Sequence, residues 1–268
     1  IFKNAYTLID KEYPSRQKKV DRNNLLEKRE DIRESTLNAT LNYAKTFGKH
    51  SVSGMAGYSL IQNKTSYLEA ERSDFYNNDV PSMNMGGESS MKNKGYDNEF
   101  GLQSYFMRGN YNFDDKYLLE ANIRYDGSSR FTGDNQYSFF PSFSAGWRLS
   151  NESFWDGLRD LFSNVKIRGS WGKTGNQTCG LYSFYDSYSS KSYTFGGNIV
   201  NGYAQTTFAN KDLKWETTTQ TDIGLDLGFL NNQLTVEAEY YYKRTDGILM
   251  ELTIPATVGL DAPFQNAG

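Results

Sequence analysis

Tyr117-Leu-Leu-Glu-Ala-Asn-Ile-Arg-Tyr-Asp126 is the stretch on which the fold turns. Tyr117, Leu119, Ala121, Ile123 and Tyr125 occupy one side of a period-two pattern, and Glu120, Asn122, Arg124 and Asp126 occupy the other. Successive side chains of a β-strand point in opposite directions, so this is a strand with one apolar and one polar face. A register slip of one residue would exchange the faces completely. At about 3.3 Å per residue and a tilt near 40°, the eight steps from Tyr117 to Tyr125 cover roughly 20 Å, with a tyrosine at either end.

The design recurs in both directions. Phe139, Pro141, Phe143, Ala145 and Trp147 alternate with Ser138, Ser142, Ser144, Gly146 and Arg148, and Val165, Ile167 and Trp171 with Lys166, Arg168 and Ser170. Further on, Ile223, Leu225, Leu227 and Phe229 stand against Asp222, Gly224, Asp226 and Gly228. Leu234, Val236, Ala238, Tyr240 and Tyr242 then stand against Thr235, Glu237, Glu239 and Lys243. Upstream, the apolar sets are Leu37, Ala39, Leu41 and Tyr43, then Val52, Ala56, Tyr58 and Leu60, then Tyr105, Met107, Tyr111 and Phe113. With weaker segments at 1–9 and 248–254, the pattern predicts about ten strands.

Tight turns are expected at Gly48-Lys49-His50, Asp114-Asp115-Lys116 and Leu230-Asn231-Asn232, and long polar loops at 10–33, 62–98, 127–137, 173–215 and from 245 onward. Residues 150–164 fall where a tight turn is due, and read instead as a short amphipathic helix with Phe154, Leu158, Leu161 and Phe162 on one side. Short turns at one end and long loops at the other are the habit of outer-membrane barrels, whose periplasmic turns are short and extracellular loops long.

Composition narrows the class. Aromatics make up 15% of the 268 residues and Gly numbers 24, yet mean hydropathy is −0.70. A helical span needs roughly 20 consecutive apolar residues, and none occurs. Barrel strands escape that limit because lipid-facing and lumen-facing residues alternate. A net charge of −3, from 29 basic and 32 acidic residues, gives no footprint for nucleic acid, and the basic run at 16–19 reads as a solvated loop. One cysteine, Cys179, forbids an internal disulfide, and one histidine, His50, removes most metal sites and imidazole catalysis. Residues 1–10 lack the regions of a signal peptide, so a leader is expected upstream and the chain reads as a fragment.

Several longer runs are similar to one known family. These are Tyr117-Leu-Leu-Glu-Ala-Asn-Ile-Arg-Tyr-Asp-Gly-Ser-Ser-Arg-Phe131, Phe140-Pro-Ser-Phe-Ser-Ala-Gly-Trp-Arg-Leu-Ser-Asn-Glu152, Val165-Lys-Ile-Arg-Gly-Ser-Trp-Gly-Lys-Thr-Gly-Asn-Gln177 and Leu213-Lys-Trp-Glu-Thr-Thr-Thr-Gln-Thr-Asp-Ile-Gly-Leu-Asp226. In this order they resemble the SusC/RagA-type TonB-dependent transporters of Bacteroidetes, over about residues 98–247. The resemblance implies an all-β, antiparallel transmembrane barrel of about 22 strands with a plugged lumen. Residues 1–268 would be part of that single barrel domain, with the plug and the TonB-interacting segment outside this chain. It also implies an outer-membrane location, import of an oligosaccharide or peptide, a SusD-like lipoprotein partner and coupling to the TonB complex. The long loops 62–98 and 173–215 are candidates for touching that lipoprotein.

On this reading the residues facing outer-membrane lipid are Tyr117, Leu119, Ala121, Ile123, Tyr125, Phe143, Ala145, Trp147, Ile167, Ile223, Leu225, Leu227, Val236, Ala238 and Tyr240. Glu120, Arg124, Arg148, Lys166, Arg168, Asp222, Asp226, Glu237 and Glu239 line a watery lumen or, equally well, an exposed sheet surface. Tyr185, Tyr188 and Tyr193, in the aromatic run with Tyr182, Phe184 and Phe195, are candidates to stack on a sugar ring; Arg130 is a further candidate, or a residue that pins its loop. Trp215 reads as an interfacial anchor. Gly172-Lys-Thr-Gly175 lacks phosphate-loop spacing, and Asp97 with Glu99 offers a weak cation site. No catalytic residue, metal or cofactor is expected. The competing readings are a secreted or surface glycan-binding β-sandwich and an outer-membrane barrel hydrolase.

Overall fold

The computed structural model describes the backbone of residues 2–9 and the whole of residues 22–268; the basic run at 16–19 lies outside the described residues. Among the described residues thirteen strands follow in order: β1 Phe2–Ile9, β2 Asn24–Phe47, β3 His50–Ser73, β4 Lys92–Phe113, β5 Tyr117–Ser128, β6 Tyr137–Arg148, β7 Phe162–Asn176, β8 Ser187–Phe195, β9 Asn198–Thr207, β10 Glu216–Phe229, β11 Leu234–Asp246, β12 Ile248–Glu251 and β13 Phe264–Ala267. Nine of them form one sheet in the order β1-β2-β3-β4-β5-β6-β7-β10-β11, while β8 pairs β9 and β12 pairs β13. The fold is all-β, and the paired strands run antiparallel, in chain order except that β10 follows β7. Among the described residues no helix is long and apolar enough to cross a membrane, a fact that does not bear on strands.

The chain divides into two compact units, residues 1–35 with 61–100, and residues 36–60 with 101–268. In the second unit the expected tight turns are present. Gly48 has φ +58°, Asp114 and Asp115 both +53°, and Leu230, Asn231 and Asn232 lie between +50° and +63°. Left-handed turn residues of this kind match the right-handed twist of the strands they join.

The first unit is where expectation and structure part. Residues 24–33 and most of 62–98 read as polar loop, yet 24–35, 61–73 and 92–100 are strand, leaving 74–91 as the connection. These segments carry charge instead of an apolar face, so hydropathic alternation gives no signal there. They are held by the ladder, by buried Leu25 and Phe75, and by buried Asn23. The Asn23 side chain accepts from the Phe75 N–H at 2.8 Å and donates to the Phe75 carbonyl at 2.9 Å, closing off the backbone where the strand ends.

Two further corrections concern the second unit. The predicted helix at 150–164 is two short 3-10 segments, Leu149–Asn151 and Ser153–Leu158, followed by β7. Its apolar side has no core to cover: Phe154, Leu158 and Leu161 are exposed, and Trp155 donates to the Phe162 carbonyl at 3.3 Å. The loop predicted at 173–215 contains the β8–β9 hairpin, turning on Gly196 and Gly197 at φ +58° and +78°.

Candidate functional site

The register of the second unit joins the separate alternations into two continuous surfaces. Across β4 and β5, Tyr105 meets Tyr125, Met107 meets Ile123, Gly109 meets Ala121 and Tyr111 meets Leu119. Across β5 and β6, Tyr117 meets Trp147, Leu119 meets Ala145, Ala121 meets Phe143 and Tyr125 meets Phe139. Phe143 then meets Trp171 and Trp147 meets Ile167; Ile167 meets Leu225 and Gly169 meets Ile223. Finally Ile223 meets Tyr240, Leu225 meets Ala238 and Leu227 meets Val236. Directly opposed residues of adjacent strands share a face. The surface is therefore apolar over six strands, and much of it is uncovered, as at Leu119, 52% exposed, and Ile223, 60% exposed.

Aromatics gather at its two ends. Near the tight turns, Tyr117 stacks on Trp147 at 6.2 Å and lies 6.2 Å from Phe113, whose ring is 4.8 Å from that of His50. Glu152, in the connection beyond β6, accepts from the Tyr117 hydroxyl at 2.8 Å, Lys116 at 3.0 Å and the Trp147 indole at 3.1 Å. Those three donors, Tyr117 first, hold its carboxyl below the usual carboxylate range. At the other end Tyr125 stacks on Tyr137 at 5.1 Å. Tyr137 leans over Gly127, where any side chain would run into its ring. Tyr117 and Tyr125 thus stand at opposite borders of the apolar surface.

The reverse surface is a hydrogen-bonded polar network. Arg168 pairs with Asp226 at 3.1 Å and with Glu239 at 3.1 and 3.4 Å. It lies across Gly224, where a Cβ would come 2.6 Å from the guanidinium carbon. Lys166 is 3.9 Å from Asp226, and Ser170 donates to Asp222 at 3.0 Å. Asn122 donates to Glu120 at 2.7 Å and accepts from Arg108 at 2.8 Å, while Arg124 binds Asp126 at 3.1 Å. Glu237 faces Asp226 in register. Arg148 stands apart at the turn end, donating to the Asp115 carbonyl at 3.4 Å. Asn110, Glu120, Ser144, Lys166, Arg168 and Asp222 line a groove of about 600 Å³.

At the loop end, three chain segments close over a small core of Phe131, Phe140, Cys179, Leu213 and Trp215. Trp215 is 7% exposed, lies 5.4 Å from Phe131 and 5.3 Å from Phe140, and donates its indole N–H to the Gln136 carbonyl at 3.1 Å. It is a core residue and not an interfacial anchor; the sequence shows only a tryptophan at the start of a strand, without the partners that bury it. Arg130 donates to the Cys179 carbonyl, tying the β5–β6 connection to the segment after β7. Burial pushes the Cys179 thiol above its ordinary range, against a smaller opposing pull from Arg130.

The aromatic candidates do not converge. Tyr185 lies before the hairpin, and Tyr188 and Tyr193 are both on β8, five residues apart and so on opposite faces. All three are exposed, as are Phe195, Ile199 and Tyr203 around them. Asp97 and Glu99 already hold protein partners, Ser66 at 2.5 Å and Lys64 at 2.8 Å. Gly172-Lys-Thr-Gly175 lies inside β7. Among the described residues no cluster of His, Cys, Asp and Glu is arranged to hold a metal ion.

The sequence profile of the TonB dependent receptor-like, beta-barrel family matches residues 3–268. The TonB-dependent receptor P3 of Formosa agariphila is 37% identical over 233 residues, which is 85% of this chain and 23% of that protein. The TonB-dependent receptor SusC of Bacteroides thetaiotaomicron is 38% identical over 177 residues, 62% of this chain and 17% of that protein. The chain therefore spans less than a quarter of the length of these relatives. The solved structure of the RagAB peptide transporter superposes with a TM-score of 0.86 at 24% identity, covering 95% of this chain and 28% of that one, a likeness of fold. With its two-faced antiparallel sheet and a match that runs nearly from end to end, the chain belongs to the TonB-dependent receptor-like β-barrels of the bacterial outer membrane.

Proposed function

We propose that this chain is one continuous part of the wall of a single transmembrane barrel, and that the whole protein imports an oligomeric nutrient, glycan or peptide, in a TonB-dependent manner. The observation that carries the reading is the unbroken division of β4, β5, β6, β7, β10 and β11 into one apolar and one polar surface. A bilayer rewards that arrangement, because every backbone polar group is satisfied by a neighbouring strand while apolar side chains face lipid. Relatives named as TonB-dependent receptors, SusC among them, and the fold shared with a peptide transporter support it.

In this reading Tyr117, Leu119, Ala121, Ile123, Tyr125, Phe143, Ala145, Trp147, Ile167, Ile223, Leu225, Leu227, Val236, Ala238 and Tyr240 meet lipid. Glu120, Arg124, Lys166, Arg168, Asp222, Asp226, Glu237 and Glu239 face the lumen as a fixed polar lining, and Arg148 marks its periplasmic rim. Arg130 shapes the extracellular rim, where Tyr185, Tyr188 and Tyr193 present aromatic surface to ligand or to a SusD-like lipoprotein. The lipoprotein closes over the loops, and force delivered by the TonB complex to a segment outside this chain opens the path. No bond is made or broken, so no side chain is assigned a catalytic role. A β-sandwich would need a second sheet about 10 Å above the apolar face; the exposure of Ile223 and Leu119 argues against one.

Purification of the complete protein from outer membranes in mild detergent, with mass spectrometry of what accompanies it, tests the reading. A SusD-like lipoprotein in equimolar amount is expected. Recovery from the soluble fraction without a lipoprotein would overturn it.

A further inference from the structure

In the first unit, residues 24–35, 61–73 and 92–100 carry an arrangement on one face that strand pairing does not explain. Tyr67 and Tyr96 stack with ring centres 5.0 Å apart and planes 18° from parallel, and Tyr96 is half exposed. Beside them Glu69 takes Lys28 and Lys94, each at 3.2 Å, and the Tyr67 hydroxyl at 2.5 Å. Glu71 takes Lys92 at 3.5 Å. Residues 67, 69 and 71 share a face of β3, as 92, 94 and 96 share a face of β4.

Burial separates the two signs of charge. The glutamate side chains are 13% and 24% exposed, whereas those of Lys28, Lys94 and Lys92 are 41%, 66% and 71% exposed. Carboxylates underneath hold ammonium groups at the surface; Glu30, on the same face of β2 as Lys28, makes the count three of each sign, so what distinguishes the face is the exposure of Lys92 and Lys94 beside Tyr96. Exposed ion pairs contribute only about 0–1 kcal/mol, and fixing a lysine side chain costs up to about 2 kcal/mol of rotamer entropy. The lysines therefore add little stability of their own. The effect of the cluster is to hold cations in place beside a flat aromatic surface, which is how a site avoids ordering costs on binding.

We propose that this face binds an acidic oligosaccharide, with a sugar ring against Tyr96 and a carboxylate or sulfate substituent on Lys94 and Lys92. A sugar fits better than a peptide because β3 lies between β2 and β4, so its backbone groups are engaged in the ladder and no strand edge is offered. Recognition is left to side-chain faces, where the apolar C–H face of a pyranose matches a tyrosine ring. The biological meaning of the ligand rests on the import reading; the binding itself does not.

The test is calorimetry on the complete protein in detergent, with an oligogalacturonate hexamer, maltohexaose and hexaglutamate as probes. The expected result is that the uronate hexamer binds at least tenfold more tightly than the neutral one. Lys92→Ala with Lys94→Ala should weaken it at least tenfold and flatten its salt dependence, Tyr96→Ala should weaken it about tenfold, and Lys94→Arg should keep most of the affinity. Absence of uronate binding, equal binding of maltohexaose, or an undiminished double variant would overturn the proposal. So would hexaglutamate binding as tightly with Tyr96→Ala having no effect, the outcome for a surface that reads charge alone. Heat-dependent gel migration and lipoprotein co-purification are followed in the same samples. If both are normal while binding fails, this site is wrong and the import reading stands; if both are lost, the import reading itself is struck.

Discussion

Two aromatic-rich loop regions of the second unit behave in opposite ways. Phe131, Phe140, Leu213 and Trp215 are between 1% and 7% exposed, whereas Tyr193, Phe195 and Tyr203 are 65%, 72% and 82% exposed. Composition does not distinguish them. The first set is drawn from three chain segments that converge on one point, with Arg130 and the Trp215 indole closing the backbone groups around it. The second set sits on a hairpin that forms its own two-stranded sheet, tied at its base by the bridge between Thr207 and Asp261. A two-stranded sheet has two faces and covers neither. Aromatic residues between the strands of the main sheet thus differ according to whether other segments reach them: one group packs three segments together, the other stays exposed.

The largest expected effect lies in the first region. Trp215→Ala removes a buried aromatic and should cost about 3–5 kcal/mol, read as a lower transition temperature for heat-dependent gel migration. If Tyr203→Ala lowered it as much, the contrast between the regions would be broken. Arg130→Ala comes next. It strips the Cys179 carbonyl of its donor, at about 1–3 kcal/mol, and should lower the same transition temperature by less than Trp215→Ala does.

Acid sharpens the contrast from another direction, because the aromatic core contains no carboxylate and the strand extension of the first unit depends on one. The Tyr67 hydroxyl first, then Lys28 and Lys94, hold the Glu69 carboxyl at about 2 against the opposing effect of burial. A folded value below the unfolded one means that its contribution is complete above about 4.5 and is lost as pH falls toward 2. Hydrogen exchange in residues 61–73 should accelerate over that window while the amides around Trp215 hold, and Glu69→Gln should remove the difference. The smallest effect belongs to the hairpin: Tyr193→Ala should change stability by no more than about 0.5 kcal/mol.

How much of this was legible depends on where the apolar residues went. From Tyr105 to Tyr242, in β4, β5, β6, β7, β10 and β11, the strands alternate apolar with polar residues, and the division that sets Leu119 against Glu120 continues across the sheet register. Where both faces are polar, as at Lys28 and Arg29 or Asn93 and Lys94, period two leaves no hydropathic trace, so 24–33 and 62–98 read as loop. The β8–β9 hairpin was hidden for a related reason. Tyr188-Ser-Ser-Lys-Ser-Tyr193 puts an aromatic on each face, which cancels the alternation that would have marked a strand. Trp215 failed differently, since its burial comes from Phe131 and Phe140, which lie far away in sequence. The amphipathic pattern of 150–164 was real, but Phe154 and Leu158 have no facing core, and 3-10 segments stand where a helix was expected.

The most direct measurement on the central claim compares the two faces of β5 in the membrane. Single cysteines at Leu119, Ile123, Glu120 and Arg124, in a Cys179→Ala background, are probed in intact outer membranes with a water-soluble maleimide, and in vesicles of brominated lipid with a fluorophore on each site. Positions 119 and 123 should resist the maleimide and be quenched by lipid bromine, while 120 and 124 label and escape quenching. Uniform labelling at all four positions, or quenching at 120 and 124 instead, would contradict a sheet that divides lipid from lumen.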